Sequence, residues 1–366
     1  MKINFINCFK LQSGFIFFIL IFLSGCTKTV IKEDEGSSFD YNPKQIAHGV
    51  LIGDVYNTNN FAAFTDIAYY DNAWYIVFRA GTIHVGGLKG QIKVLKSTDA
   101  VTWTVDYIIK NDTLDLRDPK LFIDTLNNKL YTQFTGITTT ENRKSTYSFL
   151  SLHNINGGWG TPGIITNNNA RNEKYNFWRS IYFNGKTYCA AYRIPIYGGY
   201  TNDDICLFTN DNNFETYDTI GKLNLGKSPS EATVRFAPDN KMYFLIRREV
   251  AHVAMGFSSP ADYSKVTWID DPLSIRLSSP NFLFYNGRLL ICGRDQDALT
   301  FKFFSYNPET NKVEKEITFP SGVETGYGGM SFNPANKDEL LISYYVINGN
   351  TSSIKLIRMD LKTFLQ

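Results

Sequence analysis

Short apolar runs separated by polar turns dominate the chain from residue 60 onward, and six times the same two-part pattern appears. A run that alternates apolar and small or polar residues begins near Asp66 (FTDIAYY), Asp118 (RDPKLFI), Arg179 (WRSIYF), Glu231 (SEATVRF), Asn281 (SPNFLFY) and Tyr327 (GYGGMSF). A turn rich in Asp, Asn or Gly follows each one, and then a second apolar run: WYIVFR, KLYTQF, TYCAAYR, MYFLIRR, LLICGR and LLISYY. Such turns between alternating runs are hairpin signals, so the second strand of each unit returns antiparallel to the first. No long stretch carries the 3.6-residue period of a helix.

The units recur about every 50 residues, the repeat length of propeller blades. Six of them predict an all-β fold, one six-bladed β-propeller spanning residues 46–366. The last unit shows only about three strands. His48 to Val55, ahead of the first unit, is expected to supply the missing outer strand and close the ring.

Strand direction turns this pattern into a site. First strands run the same way along the central channel, so Asp66, Asp118, Arg179, Glu231, Asn281 and Tyr327 collect at one mouth. Second strands return there and add Arg79, Thr135, Arg193, Arg247, Arg294 and Tyr344-Tyr345. Arg117 stands beside Asp118, and Trp178 beside Arg179. The opposite rim carries ordinary turn residues. Carboxylates and arginines round a channel can simply neutralise one another. The whole set, with its amide and aromatic members, instead suits a sugar, which takes charged and amide hydrogen bonds together with an aromatic face.

Composition narrows the classes. Aromatic residues make up 15% of the chain, with 28 Phe and 22 Tyr, which favours strands. A net charge of +2 without a basic run gives no reason to expect nucleic acid. With four histidines, no metal cluster is expected, and nothing calls for a cofactor. The chain is expected to act as a monomer.

The N-terminus reads as a leader outside the fold. Lys2 and Lys10 precede an apolar run, Phe15 to Leu23, too short to span a bilayer with ease, and it ends in Leu23-Ser24-Gly25-Cys26. This resembles a bacterial lipoprotein signal. The resemblance implies that residues 1–25 are removed and that Cys26 is lipidated. Residues 26–45 would then be a tether holding the domain at the cell envelope, on the periplasmic or outer face of the outer membrane. Cys189, Cys206 and Cys292 sit in strand-like apolar runs and read as buried thiols; Cys189 and Cys206, within one unit, could also face each other.

The motifs FTDIAYYDNAWYIVFRAGTIH, DLRDPKLF, SEATVRF with LIRRE, SPNFLFYNGRLLICGRD, and TGYGGMSF with LLISYY together resemble the sialidase (neuraminidase) superfamily of six-bladed propellers, and more closely a bacterial sialidase-like group. They span nearly the whole chain after the leader. Ser97-Thr98-Asp99 with Trp103 is similar to the Asp box, a structural turn of such blades. The resemblance implies that Tyr327 attacks the anomeric carbon with Glu231 as its base and Arg247 beside them, an exception to the two-carboxylate scheme. A phenol needs such a base near neutral pH. The chain also departs from the family. Of three substrate-binding arginines only Arg247 stands on its position. Thr65-Asp66 and Ser279-Pro280-Asn281 occupy the other two places.

Residues 80–91, where the family carries an acidic proton donor, hold no carboxylate but do hold His84, whose imidazole suits general acid or base work. His84 or Asp66 is thus the expected acid. Arg79, Arg117, Arg179 and Arg294 are expected to bind an anionic sugar from new directions, with Asn281 and Trp178 completing the pocket. The first expectation is a glycoside hydrolase acting on a terminal, anionic sugar of an extracellular glycan. A second is a furanosidase-like hydrolase using Asp66, Asp118 and Glu231, since Arg117-Asp118-Pro119 is similar to the Arg-Asp-Pro of five-bladed families. A third is a glycan-binding surface lipoprotein without catalysis, and a more distant one a polysaccharide lyase using His84 and Tyr327.

Overall fold

The computed structural model describes residues 35–84, 90–138, 145–154, 157–168, 174–193, 205–211 and 214–366. The leader, with Cys26, lies outside them.

The described strands form six sheets, antiparallel outward from the channel except for a short parallel pairing of Thr166–Asn167 with Thr216–Tyr217 at the edge of blade 3. Blade 1 reads Phe61–Tyr70, Ala73–Gly81, Gln91–Ser97 and Thr102–Ile109. Blade 2 reads Leu114–Asp124, Lys129–Thr138, Thr146–Leu152 and Gly163–Ile164. In blade 3 the inner strand is split into Tyr175–Phe177 and Ile181–Phe183, followed by Lys186–Arg193, Ile205–Asn210 and Thr216–Lys222. Blade 4 begins with Pro229–Phe236 and Met242–Arg248, blade 5 with Leu277–Tyr285 and Arg288–Asp295, and blade 6 with Glu324–Asn333 and Asn336–Asn348.

Blade 6 closes the ring as expected. Its third strand, Thr351–Asp360, pairs with Val50–Thr58 from before blade 1, so the two ends of the domain share one sheet. Strand pairing is already present before residue 46, within the stretch expected to be a tether. Ser38–Asp40 pairs with Thr102–Thr104 on the outside of blade 1, and Phe39 packs on Tyr56 with ring centroids 4.9 Å apart. An apolar ring on an unpaired strand is a sufficient reason for that edge to be covered.

The core lies between blades, where the faces of neighbouring sheets meet. Phe78 and Trp103 of blade 1 share a cluster with Tyr345 and Leu356 of blade 6; Phe122 and Tyr131 of blade 2 share another with Phe177 and Phe208 of blade 3. Cys189 and Cys292 are buried free thiols, and Cys206 is buried with its sulfur 3.5 Å from the Tyr175 hydroxyl. The Asp-box turn is structural: Asp99 Oδ1 accepts the backbone N–H groups of Val101 and Thr102, each at 2.8 Å, and Trp103 is fully buried.

One irregularity recurs in every inner strand. Pairing jumps from Ala63↔Arg79 to Asp66↔Val77, so Phe64 and Thr65 stand opposite one residue. The same bulge holds Asp118-Pro119 in blade 2, Ser230-Glu231 in blade 4, Ser279-Pro280 in blade 5 and Tyr327-Gly328 in blade 6. In blade 3, Trp178-Arg179-Ser180 face two partners across the break. A bulge re-aims side chains at a rim, and here it does so six times around one mouth.

Candidate active site

Four of the bulges open with a side-chain-bearing residue at positive φ: Phe64 at 63°, Asp118 at 57°, Ser279 at 46° and Tyr327 at 53°. Bulky residues avoid that region, so the surrounding structure must hold them there, a pattern that collects at working sites. For Tyr327 the restraints are explicit. Its N–H donates to Ser279 Oγ at 3.0 Å and its carbonyl accepts from Thr65 Oγ1 at 2.8 Å. Its ring packs on Phe64, with centroids 4.6 Å apart, and on Trp178 at 5.7 Å. Gly329, just past the bulge, lies so close to the backbone of Asp66 and Ile67 that a Cβ has no room. This is why the stretch reads Gly-Tyr-Gly-Gly.

Held in this way, the Tyr327 hydroxyl donates a 2.7 Å hydrogen bond to Glu231 Oε1. Arg247 Nη1 lies 3.1 Å from the same oxygen, and Glu231 Oε2 accepts the backbone N–H of Ser279. Arg247 is itself oriented by Glu249, with Nη2 at 2.8 Å from Oε2. The carboxylate of Glu231 therefore has one partner from each of blades 4, 5 and 6. Burial raises the Tyr327 phenol well above its ordinary pKa, the charges of Glu231 and Asp118 add to the rise, and Arg247 opposes it. The phenol rests protonated, with an acceptor already in place for its proton.

Asp118 faces this pair from blade 2. Arg117 Nε sits 3.4 Å from Asp118 Oδ2, whereas Oδ1 is buried without a partner. The Arg117 guanidinium lies 5.2 Å over the Phe64 ring. Burial works against its charge, but Asp118 and then Tyr327 more than compensate, and its pKa rises. Tyr192, at the end of the second strand of blade 3, accepts a 2.7 Å hydrogen bond from Asn176; its pKa is raised by burial and by the charges of Glu231 and Asp118.

Glu231, Tyr327, Asp118, Arg117, Arg247 and Trp178 thus belong to one cluster, with Trp178 buried and its ring covered by Lys120. Arg294 reaches its edge, its charge acting on Glu324 and Tyr345. Five residues stand otherwise than expected. Asp66 and Arg179 are not poised for a ligand: Arg179 Nη1 meets Asp66 Oδ2 at 2.7 Å with side chains 5% and 2% exposed, and the same oxygen accepts the N–H of Leu121. Asn281 is fully buried as a strut, donating to the carbonyl of Gly328 and accepting from Arg235. Arg79 is fully buried against Asp115 at 2.9 Å and donates to the carbonyl of Ile83. His84 stands at the outer rim with 47% of its side chain exposed, its Nδ1 2.8 Å from Glu324 Oε1.

The reason lies in the bulges. Asp118, Glu231 and Tyr327 are bulged residues, whereas Asp66 and Asn281 follow theirs and return to the ladder one step farther down the channel. The sequence reading missed Tyr192, Lys120 and Glu324. Tyr192 closes the apolar run TYCAAYR beside Arg193, and that strand-end position was the available signal.

Among the described residues no group of three or more His, Cys, Asp or Glu is arranged to hold a metal ion. The described sheets make up a six-bladed β-propeller. No family model and no curated relative matches the sequence. Among solved structures the chain is similar to a mutant of Trypanosoma rangeli sialidase displaying trans-sialidase activity, with TM-score 0.63 and 13% identity over 91% of this chain; it spans 61% of that longer protein. It is also similar to the intramolecular trans-sialidase of Ruminococcus gnavus, with TM-score 0.61, 11% identity, and 88% of this chain and 98% of that one covered. The Penicillium chrysogenum α-L-arabinanase gives TM-score 0.61 and 12% identity, covering 90% of this chain and all of the other.

Proposed function

We propose that this protein is a glycoside hydrolase that removes a terminal, anionic sugar from an extracellular glycan, with Tyr327 as nucleophile. The observation that carries this reading is the 2.7 Å hydrogen bond from the Tyr327 hydroxyl to Glu231, closed in by Arg247. As the phenolic oxygen bonds to the anomeric carbon, its proton passes to Glu231 and the bond to the leaving oxygen breaks. Asp118, once it has taken up a proton on Oδ1, the oxygen that Arg117 does not engage, hands that proton to the leaving oxygen. Water then attacks the glycosyl-tyrosine, losing a proton to Asp118, and Glu231 returns its proton to the departing phenol. Two displacements at one carbon retain the anomeric configuration.

Arg117, Arg247 and Arg294 supply the positive side of the pocket and support an anionic sugar over a neutral one. The leader pattern supports display of the domain at the cell envelope through a lipid on Cys26, which labelling with a radioactive fatty acid and its loss in Cys26→Ala would test.

The test is a panel of chromogenic glycosides, with neutral and anionic sugars, against the soluble domain. Glu231→Gln and Tyr327→Phe are each expected to lose about three orders of magnitude in kcat/KM with an unchanged circular dichroism spectrum. Two nearby carboxylates, Asp118 and Glu231, also suit direct hydrolysis without a tyrosyl intermediate. Full turnover in Tyr327→Phe with inversion at the anomeric carbon would establish that second reading. Tight glycan binding without product would make the protein a binding module.

A further inference from the structure

Lys120 has no part in the steps above, yet it lies at their centre. The residue is 2% exposed, and among the described residues Nζ has one hydrogen bond, 3.1 Å to the carbonyl of Pro119. The neighbouring carboxylates are engaged elsewhere: Asp66 with Arg179, Asp118 with Arg117, and Glu231 with Arg247 and Tyr327. Two aromatic rings cover the ammonium instead, Trp178 with its centroid 4.5 Å from Nζ and Tyr327 at 5.3 Å. A desolvated cation is drawn to the negative face of an aromatic ring more strongly than an exposed one.

That attraction does not stay constant during the reaction. A neutral phenol offers the cation only the quadrupole of its ring. A phenol losing its proton spreads negative charge into the ring, so the attraction grows as the reaction proceeds. Only interactions that strengthen on the way to the transition state raise kcat. We infer that Lys120 is a positioning residue that acts through the ring of Tyr327, stabilising the charge the phenol acquires as Glu231 withdraws its proton. This rests on Tyr327 being the nucleophile.

The cation has a limited pH range. Burial and the charge of Arg179 from blade 3 push the Lys120 ammonium down to about 8, against Asp118 on its own strand, Asp66 from blade 1 and Glu231 from blade 4. Above that pH the ring loses its cation.

The test is the pH dependence of kcat and KM for wild type, Lys120→Met and Lys120→Arg on the best glycoside of the panel. Wild type is expected to lose kcat on the alkaline side with a midpoint near the lysine value of about 8. Lys120→Met keeps KM, lowers kcat roughly 30-fold near neutral pH and lacks that alkaline limb. Lys120→Arg restores most of the rate and carries the limb beyond about pH 10, because a guanidinium stays charged. A purely structural lysine would change the melting temperature but leave the midpoint in place.

An unchanged midpoint in Lys120→Arg, or a Lys120→Met kcat within about two-fold of wild type, overturns the inference. If Lys120→Met does not fold, the wild-type titration of the Lys120 side chain by NMR, assigned through Lys120→Arg, decides: a midpoint above about 10 overturns the inference as well. Full turnover in Tyr327→Phe would remove the nucleophile reading and this inference with it. An inactive Tyr327→Phe beside lysine variants of wild-type behaviour would remove this inference alone.

Discussion

Two buried clusters on the channel look alike in composition and differ in what they leave available. In the lower one Asp66 and Arg179 answer each other at 2.7 Å, and both side chains are nearly sealed. In the upper one Glu231 meets Arg247 at 3.1 Å, but Arg247 is 21% exposed and the carboxylate also receives a phenolic proton. The lower pair is a closed neutralisation, the expected fate of charges buried in a channel. The upper cluster couples an acid to a base at the open end. For the two carboxylates, one step along the inner strand, on or past the bulge, separates the two outcomes.

The comparison breaks most visibly at Asp66. Asp66→Asn keeps the shape of the side chain but leaves Arg179 buried without a counter-charge. Breaking one side of such a pair costs about 3–5 kcal/mol. The expected outcome is a large drop in the denaturant midpoint, while kcat of the remaining folded enzyme stays within a few-fold of wild type. An Asp66→Asn protein of normal stability and no turnover would move the lower cluster into the chemistry and dissolve the distinction. A smaller effect is expected at Gly329→Ala. Its new methyl presses on the backbone of Asp66 and Ile67, forcing blade 6 away from blade 1. Overpacking of this kind costs about 1–3 kcal/mol, and because Tyr327 sits two residues earlier, kcat should fall with the melting temperature. Stability lost with kcat intact would show that the Tyr327 bulge is held independently of the seam between these blades.

How far the sequence carried the fold and the site follows from the same bulges. Hairpin turns and a repeat near 50 residues were enough to count six blades, and the three strands of the last unit were enough to send Val50–Thr58 across to it. Glu231 and Tyr327 were legible because a carboxylate and a phenol each open an inner strand. Depth along the channel was not legible. A period-two pattern does not announce a two-for-one insertion, so Asp66 and Asp118 read alike although one closes an ion pair and the other stands in the pocket. Lys120 was hidden for the same reason, since a lysine inside RDPKLF reads as a solvated side chain unless its neighbours across the ring are known.

The smallest effect, and the one that sharpens the outer boundary of the site, belongs to the rim. Glu324 is bonded by His84 and by the Tyr345 hydroxyl at 2.9 Å. Burial alone would raise its pKa, but His84, Tyr345 and Arg294 outweigh burial, and it lies below the ordinary 4.5. A carboxylate depressed in the folded state adds stability that is fully present above its unfolded pKa and is lost as pH falls through the folded one. Glu324→Gln should therefore melt slightly below wild type at neutral pH, by the equivalent of less than about 1 kcal/mol for a pair in contact with water. Melting curves of the two proteins should converge as the pH drops below 4.5, where the wild-type carboxyl becomes protonated. His84 gives its Nδ1 to Glu324 and packs its ring on Phe64 at 5.1 Å, and the proposed steps leave it as a wall of the site. His84→Ala should raise KM a few-fold and leave kcat near wild type. If instead kcat collapses while the Glu324→Gln curves still converge in acid, the proton donor lies on the rim, and Asp118 yields that role to His84.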